Sequence, residues 1–261
     1  MIQLSDLKNY KKWTPAMKAA FWFIFASMVQ KALSFITVPI FTRVMETEQY
    51  GIYSTYLSWS AIIAVFLTLN LDSGAYSNVI GKSKTEKEKN EMTVSFLSLC
   101  FCITTTALIA TIIFIKPISS FMELSSSLII LMFFGIYSMP VANYWLFKQR
   151  FDYKYKTLVL IVLLKSALNI ILGLYFINIV SVNVQAWGRI ISIVLIECTF
   201  SFFLYIDFIR KAGKCFVVKK WKKALKFQLP LIPHFLSMNF LLSSDRIMIQ
   251  KNDRFVGSRG I

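Results

Sequence analysis

The sequence predicts an all-α integral-membrane protein: a bundle of six transmembrane helices followed by the first helix of a second bundle. Three observations predict it. Seven apolar segments are each long enough to cross a bilayer, basic residues fall in alternate connections, and the seventh segment repeats the wording of the first. Of 261 residues, 56% are hydrophobic and 16% charged, with a mean hydropathy of +0.60, a balance that points to several membrane passages.

The spans follow in order. The opening stretch MIQLSDLKNYKKWTPAMK is polar and runs into a full-length apolar segment without a small-residue cleavage site, so it does not read as a secretory signal. The first span is therefore expected to stay in the protein. Apolar runs of about 20 residues, the length a helix needs to cross a bilayer, place the spans at 19–41, 52–71, 92–115, 126–147, 157–179, 187–206 and 227–249. The domain division that results is a six-helix lobe over 1–206, a basic linker loop over 207–226, and an incomplete second lobe over 227–261.

Charge fixes the orientation. The excess of 29 Lys and Arg over 13 Asp and Glu, a net +16, could mean nucleic acid or a membrane surface, and its distribution decides. The N-terminus and the even-numbered connections hold twenty Lys and Arg, whereas the odd-numbered connections hold only Arg43 and Lys116. By the positive-inside rule the N-terminus and the even connections are cytoplasmic. The excess is topological, and no nucleic-acid partner is implied. The run KKWKKALKF could also attract anionic headgroups, but a positive-inside anchor accounts for it.

Ionisable groups at membrane depth are costly and are functional hypotheses by default. Gln30 and Lys31 fall near the centre of the first span, Glu197 near the centre of the sixth, and Arg189 near its outer end. Lys165 lies about a third of the way along the fifth span from the inside, with Asn169 one turn further. Lys31, Lys165 and Arg189 are expected to line a cationic, water-filled cavity, with Glu197 moderating it from the depth of Lys31, where the two could pair. For Lys165 and Arg189 a structural ion pair with snorkelling cations is an equally open reading.

Backbone irregularities mark other candidates. Pro39, Pro230 and Pro233 each remove a backbone donor and read as helix breaks, which membranes tolerate mainly beside cavities. His234, the only histidine, follows Pro233 and is a candidate for coupling, or a packing residue. Arg43, Asp245 and Arg246 are polar residues at the outer helix ends. Cys100 and Cys102 are separated by about 200° on a helix, so their thiols diverge. No metal site, no cofactor site and no nucleophile–base pair can be assembled from these residues.

The repeat sets "LSFITVPIFTRVM" against "LSMNFLLSSDRIM": Leu33-Ser34, Arg43 and Met45 return as Leu236-Ser237, Arg246 and Met248 at one constant offset. Internal repeats in transporters mark bundles that rock about a central site. With "SFITVPIFTRVMETEQYGIYS" at 34–54, "LNLDSGAYSNVI" at 69–80 and "LPLIPHFLSMNFLLSSDRIMI" at 229–249, the sequence resembles the Wzx-type O-antigen and capsule repeat-unit flippases. These form the polysaccharide-transporter branch of the MATE-like flippase superfamily. The resemblance runs from about residue 14 to residue 249.

That resemblance implies a MATE-like fold of two six-helix lobes, in which this chain would be C-terminally truncated. It implies alternating access that carries undecaprenyl-diphosphate-linked oligosaccharide across the bacterial inner membrane, without chemistry on the substrate. The cationic-cavity role passes to Lys31 and Arg189, and to Lys165. Membrane lipids and the lipid-linked oligosaccharide are the partners, with a polysaccharide polymerase and glycosyltransferases as neighbours in the pathway. Other readings are a cation-coupled multidrug exporter, an integral-membrane polymerase or acyltransferase, and a non-functional truncated product.

Overall fold

The computed structural model describes residues 13–81, 83, 85–212, 218–238 and 241. Six of its helices are long and apolar enough to cross a membrane. They are α1 (Pro15–Val44), α2 (Thr47–Thr68), α3 (Glu86–Ile113), α5 (Ser126–Phe151), α6 (Tyr155–Ile179) and α7 (Gln185–Lys211). Two shorter helices, α4 (Ile115–Met122) and α8 (Val218–Gln228), lie after α3 and after α7. Asp245 and Arg246 lie outside the described residues, as do residues 239–240 and 242–249 of the seventh expected span.

Local chemistry sets the helix ends. Thr14 accepts a hydrogen bond from the Met17 N–H, and Pro15 at the first helical position has no N–H to satisfy. Thr85 and Glu88 form a capping box that starts α3 at Glu86, six residues before the apolar run. At the other polarity, Lys148 and Arg150 fall in the last turn of α5, and Arg210 and Lys211 in that of α7, where cations meet the negative end of the helix dipole.

Pro39 does not break its helix, contrary to the sequence expectation. α1 runs through it without interruption. Only one backbone hydrogen bond is forfeited, and hydroxyls nearby bond back to the chain: Thr37 to the Leu33 carbonyl at 2.6 Å and Thr42 to that of Pro39 at 3.2 Å. Pro230 lies in a 3-10 turn, Leu229–Leu231, between α8 and helical residues 232–238, which contain Pro233.

α7 is the central post, packed against α5, α6, α2 and α3; α1 leans on α6 and meets α2 more sparsely. Two apolar clusters stabilise the bundle, one toward each end. Phe41, Met45, Tyr53, Met132 and Ile190 belong to the first, and Leu71, Tyr76, Phe96, Tyr144 and Phe208 to the second. α1 buries only Ala19, Ala26 and Phe41, and leaves Phe35 82% and Met28 70% exposed. Its outer face is left for lipid or for another bundle.

The ends are locked by polar side chains. At one end Gln185 accepts from the Glu46 N–H at 2.9 Å, and Gln49 accepts from the Ala186 N–H at 3.2 Å. Each glutamine thus satisfies a helix start on the other strand of the crossing. At the end that carries the basic connections, Lys89 pairs with Asp152 at 2.7 Å. The buried Lys148 there reaches Asn90 at 2.6 Å and Glu86 at 3.0 Å. Lys89 and Lys148 are therefore interhelical contacts as well as loop charges.

The predicted linker loop 207–226 is partly helical. α7 continues to Lys211, and α8 occupies Val218–Gln228. Its last residue, Gln228, is fully buried: it accepts from the Ala75 N–H at 3.1 Å and donates to the Asn70 carbonyl at 3.0 Å. These partners belong to a turn after α2, where Leu69 and Asn70 adopt positive φ and Asp72–Tyr76 widens to a π-helix. Gly74 has no room for a Cβ because the Gln228 amide sits against it. Gln228→Leu should strand both backbone groups, at a cost of about 1–3 kcal/mol each. A cysteine replacing buried Ala224 is expected to resist an impermeant maleimide in the parent and to label rapidly in that variant; equal protection would show that Gln228 does not hold α8.

Candidate functional site

A cavity of about 390 Å³ opens between α1, α2, α5, α6 and α7, bridging the two apolar clusters. Its polar lining includes Gln30, Lys165, Asn169, Arg189 and Glu197. Lys165 Nζ and Glu197 Oε2 are 2.6 Å apart and each side chain is about a quarter exposed. The ion pair expected for Glu197 thus forms with Lys165, from α6 to α7, and not with Lys31.

Arg189 is 2% exposed and held through its two terminal nitrogens. Its guanidinium donates to the Asn169 carbonyl at 2.8 Å, to the Asn169 side-chain oxygen at 2.7 Å and to Ser192 Oγ at 3.4 Å. It lies over the Phe41 ring at 4.0 Å, with Tyr53 at 5.6 Å. A planar fork suits two oxygens of one residue and an aromatic face at the same time. Gly173 makes the room: a Cβ there would collide with the guanidinium and come within 2.9 Å of Phe41.

Lys31 is placed elsewhere. It is exposed and lines a second, open groove of about 600 Å³ with Phe23, Ile24, Ser27, Met28 and, from the end of α5, Arg150. The reason is azimuthal. Gln30, Leu33, Ser34 and Thr37 follow one face of α1 into the cavity, and Lys31 is turned by about 100° from Gln30. Neither Lys31 nor Arg150 forms an ion pair among the described residues, and Arg150 lies 5.7 Å from the Phe147 ring. The groove is an apolar wall carrying two cations that have no ion-pair partner among the described residues, Lys31 from the middle of α1 and Arg150 from the last turn of α5.

The remaining candidates lie outside both spaces. Arg43 is exposed in the last turn of α1, and His234 is exposed with its ring 5.7 Å from that of Phe235. Sequence reasoning missed Arg150 as a groove residue because it was counted with the loop charges; α5 continues to Phe151, which keeps Arg150 on the helix. It also missed Gln49 and Gln228, whose signal is their place inside or beside the quoted motifs, and Gln185, which no quoted motif flags.

A family model described as polysaccharide biosynthesis protein matches residues 16–254. The chain belongs to that family. Among solved structures the chain is similar to a MATE protein crystallised in complex with Br-NRF, with a TM-score of 0.63 at 19% identity. That alignment covers 87% of this chain and 57% of the other. It is also similar to an outward-facing multidrug resistance MATE family transporter of the MOP superfamily, with a TM-score of 0.56 at 16% identity, covering 88% of this chain and 55% of that one. No curated protein matches the chain by sequence. The chain is thus an all-α, multi-pass membrane protein of MATE-like fold, and it spans less than two thirds of the MATE proteins it matches.

Proposed function

We propose that the protein is a flippase for lipid-linked oligosaccharide, in which residues 1–206 form one lobe, 207–226 the linker and 227–261 the start of a second lobe. Its basic end faces the cytoplasm of a bacterial cell across the inner membrane. The observation that carries this reading is the groove of Lys31 and Arg150. An apolar wall bearing two unpaired cations suits an amphiphile with an anionic head, and a prenyl diphosphate has that form: a multiply charged phosphate group on a hydrocarbon tail.

Lys31, near the middle of a span-length helix, is costly as a charge unless water or a counter-ion meets it. A bound diphosphate supplies that counter-ion in a medium where the attraction is weakly screened. The glycan would extend into the polar space that the lobe encloses with its partner, and rocking of one bundle against the other would change the side to which it opens. A multidrug exporter of the same fold is less well supported, because Glu197, the one carboxylate among the described residues lining the cavity, is already paired with Lys165 and a cationic drug would lack its anion.

The test uses a host in which the gene has been deleted. Complete lipid-linked units should accumulate on the cytoplasmic leaflet, and the wild-type gene should clear them. The double variant K31Q/R150Q is expected to slow clearance by about tenfold or more, since each lost charge-assisted bond is worth about 1.5–3 kcal/mol. Incomplete units in the deletion strain would point to an assembly enzyme, and full clearance by the double variant would remove the groove from the mechanism.

A further inference from the structure

The helix α8 is used by nothing described so far beyond its attachment. Trp221, Ala224, Leu225 and Gln228, spaced i, i+3, i+4 and i+7, are its docking stripe. Trp221 Nε1 donates to the Ser95 carbonyl at 2.8 Å and to Ser95 Oγ at 3.1 Å, Ala224 is 4% exposed, and Gln228 is fully buried. Five lysines and no acidic residue occupy the rest of VKKWKKALKFQ. Positions 219, 222, 223 and 226 repeat the same i, i+3, i+4, i+7 spacing, and at 100° per residue that stripe lies about half a turn from the docking one. Lys222 and Lys226 are exposed there, and Phe227 and Leu229 beside them are 44% and 55% exposed.

From this two-stripe pattern we infer that α8 is a lipid-sensing surface: its lysine stripe binds the headgroups of anionic phospholipids at the basic face of the bundle, with Phe227 and Leu229 entering the apolar boundary. A positive-inside signal needs only the number of lysines. It does not need them segregated opposite a docked face, nor exposed apolar side chains at the helix end. Segregation of this kind is what an interfacial helix uses to combine headgroup attraction with shallow apolar insertion. Two bonds from Gln228 fix the helix azimuth, so the face that carries the exposed Lys222 and Lys226 is turned from the lobe whatever is being transported. The inference is independent of the substrate.

The test places a bimane fluorophore on Lys222→Cys in a cysteine-free version of the full chain, reconstituted in nanodiscs. Brominated phosphatidylglycerol and brominated phosphatidylcholine then compete to quench it. Phosphatidylglycerol is expected to be preferred by about fivefold or more, given the attraction of each lysine near an anionic surface. The preference should fall toward parity in K219Q/K223Q/K226Q. Should that variant fail to fold, 0.5 M NaCl on the parent is the second measurement, because salt at about that strength shortens the screening length to a few ångströms and should erase the preference. Equal quenching by both lipids would overturn the inference and leave the lysines as a topology signal. No quenching by either lipid would also overturn it, in favour of an acidic protein surface or bulk water.

Discussion

Gly173→Ala is expected to abolish transport and to destabilise the bundle, although it adds one methyl group in a helix and raises helix propensity. Alanine at an ordinary exposed helical site would stabilise by up to about 1 kcal/mol. Here the added Cβ meets the Arg189 guanidinium and sits 2.9 Å from Phe41, two groups already fixed against each other at 4.0 Å. The ring cannot retreat, because Phe41 is 1% exposed within the apolar cluster. Arg189 must move instead, and its bonds to Asn169 at 2.8 and 2.7 Å are lost together. Leaving a buried guanidinium without those acceptors costs about 3–5 kcal/mol. The measurement is the unfolding temperature of the purified protein together with leaflet transfer. Arg189→Lys should fail in the same way, since an ammonium has no fork to hold both oxygens. An unfolding temperature unchanged in Gly173→Ala would show that Arg189 is not locked there.

The six spans were legible because a bilayer demands about 20 apolar residues per helix and leaves few alternatives. Their ends were not, since they are set by caps and ion pairs beyond the apolar run: Thr85 with Glu88 starts α3 early, and the pairing of Lys89 with Asp152 lies on helix ends that read as loops. The quoted motifs turn out to be the places where helix ends interlock. "TRVMETEQYG" holds Gln49, which meets the start of α7, and "LNLDSGAYSNVI" holds the turn that grips Gln228. Spacing along a span gives depth directly, and Lys31 and Glu197 were matched by depth. Azimuth needs the partner helices, and a single residue step of about 100° separates Gln30 in the cavity from Lys31 in the groove.

The second large effect concerns Lys165 and Glu197. Glu197→Gln strands the ammonium and Lys165→Met strands the carboxylate, and each is expected to destabilise by about 1–3 kcal/mol. That range lies below the value for a fully buried pair, because both side chains are about a quarter exposed. Transport should fall by about tenfold in each. The apolar pair K165M/E197L removes both charges at once, so it should recover most of the lost stability, as replacing a buried ion pair by packed hydrophobic groups often does. Transport should not return with it. The pair is the only ion pair between α6 and α7 among the described residues, and it faces a cavity shared with Gln30 and Asn169, so its loss removes polar lining as well as a crosslink. The swap K165E/E197K is expected to restore stability and part of the transport, because it keeps both the crosslink and the polarity. A double-mutant cycle read on both properties separates the two contributions. Full transport by K165M/E197L would reduce the pair to a structural rivet and leave the groove of Lys31 and Arg150 as the charged surface proposed for the substrate.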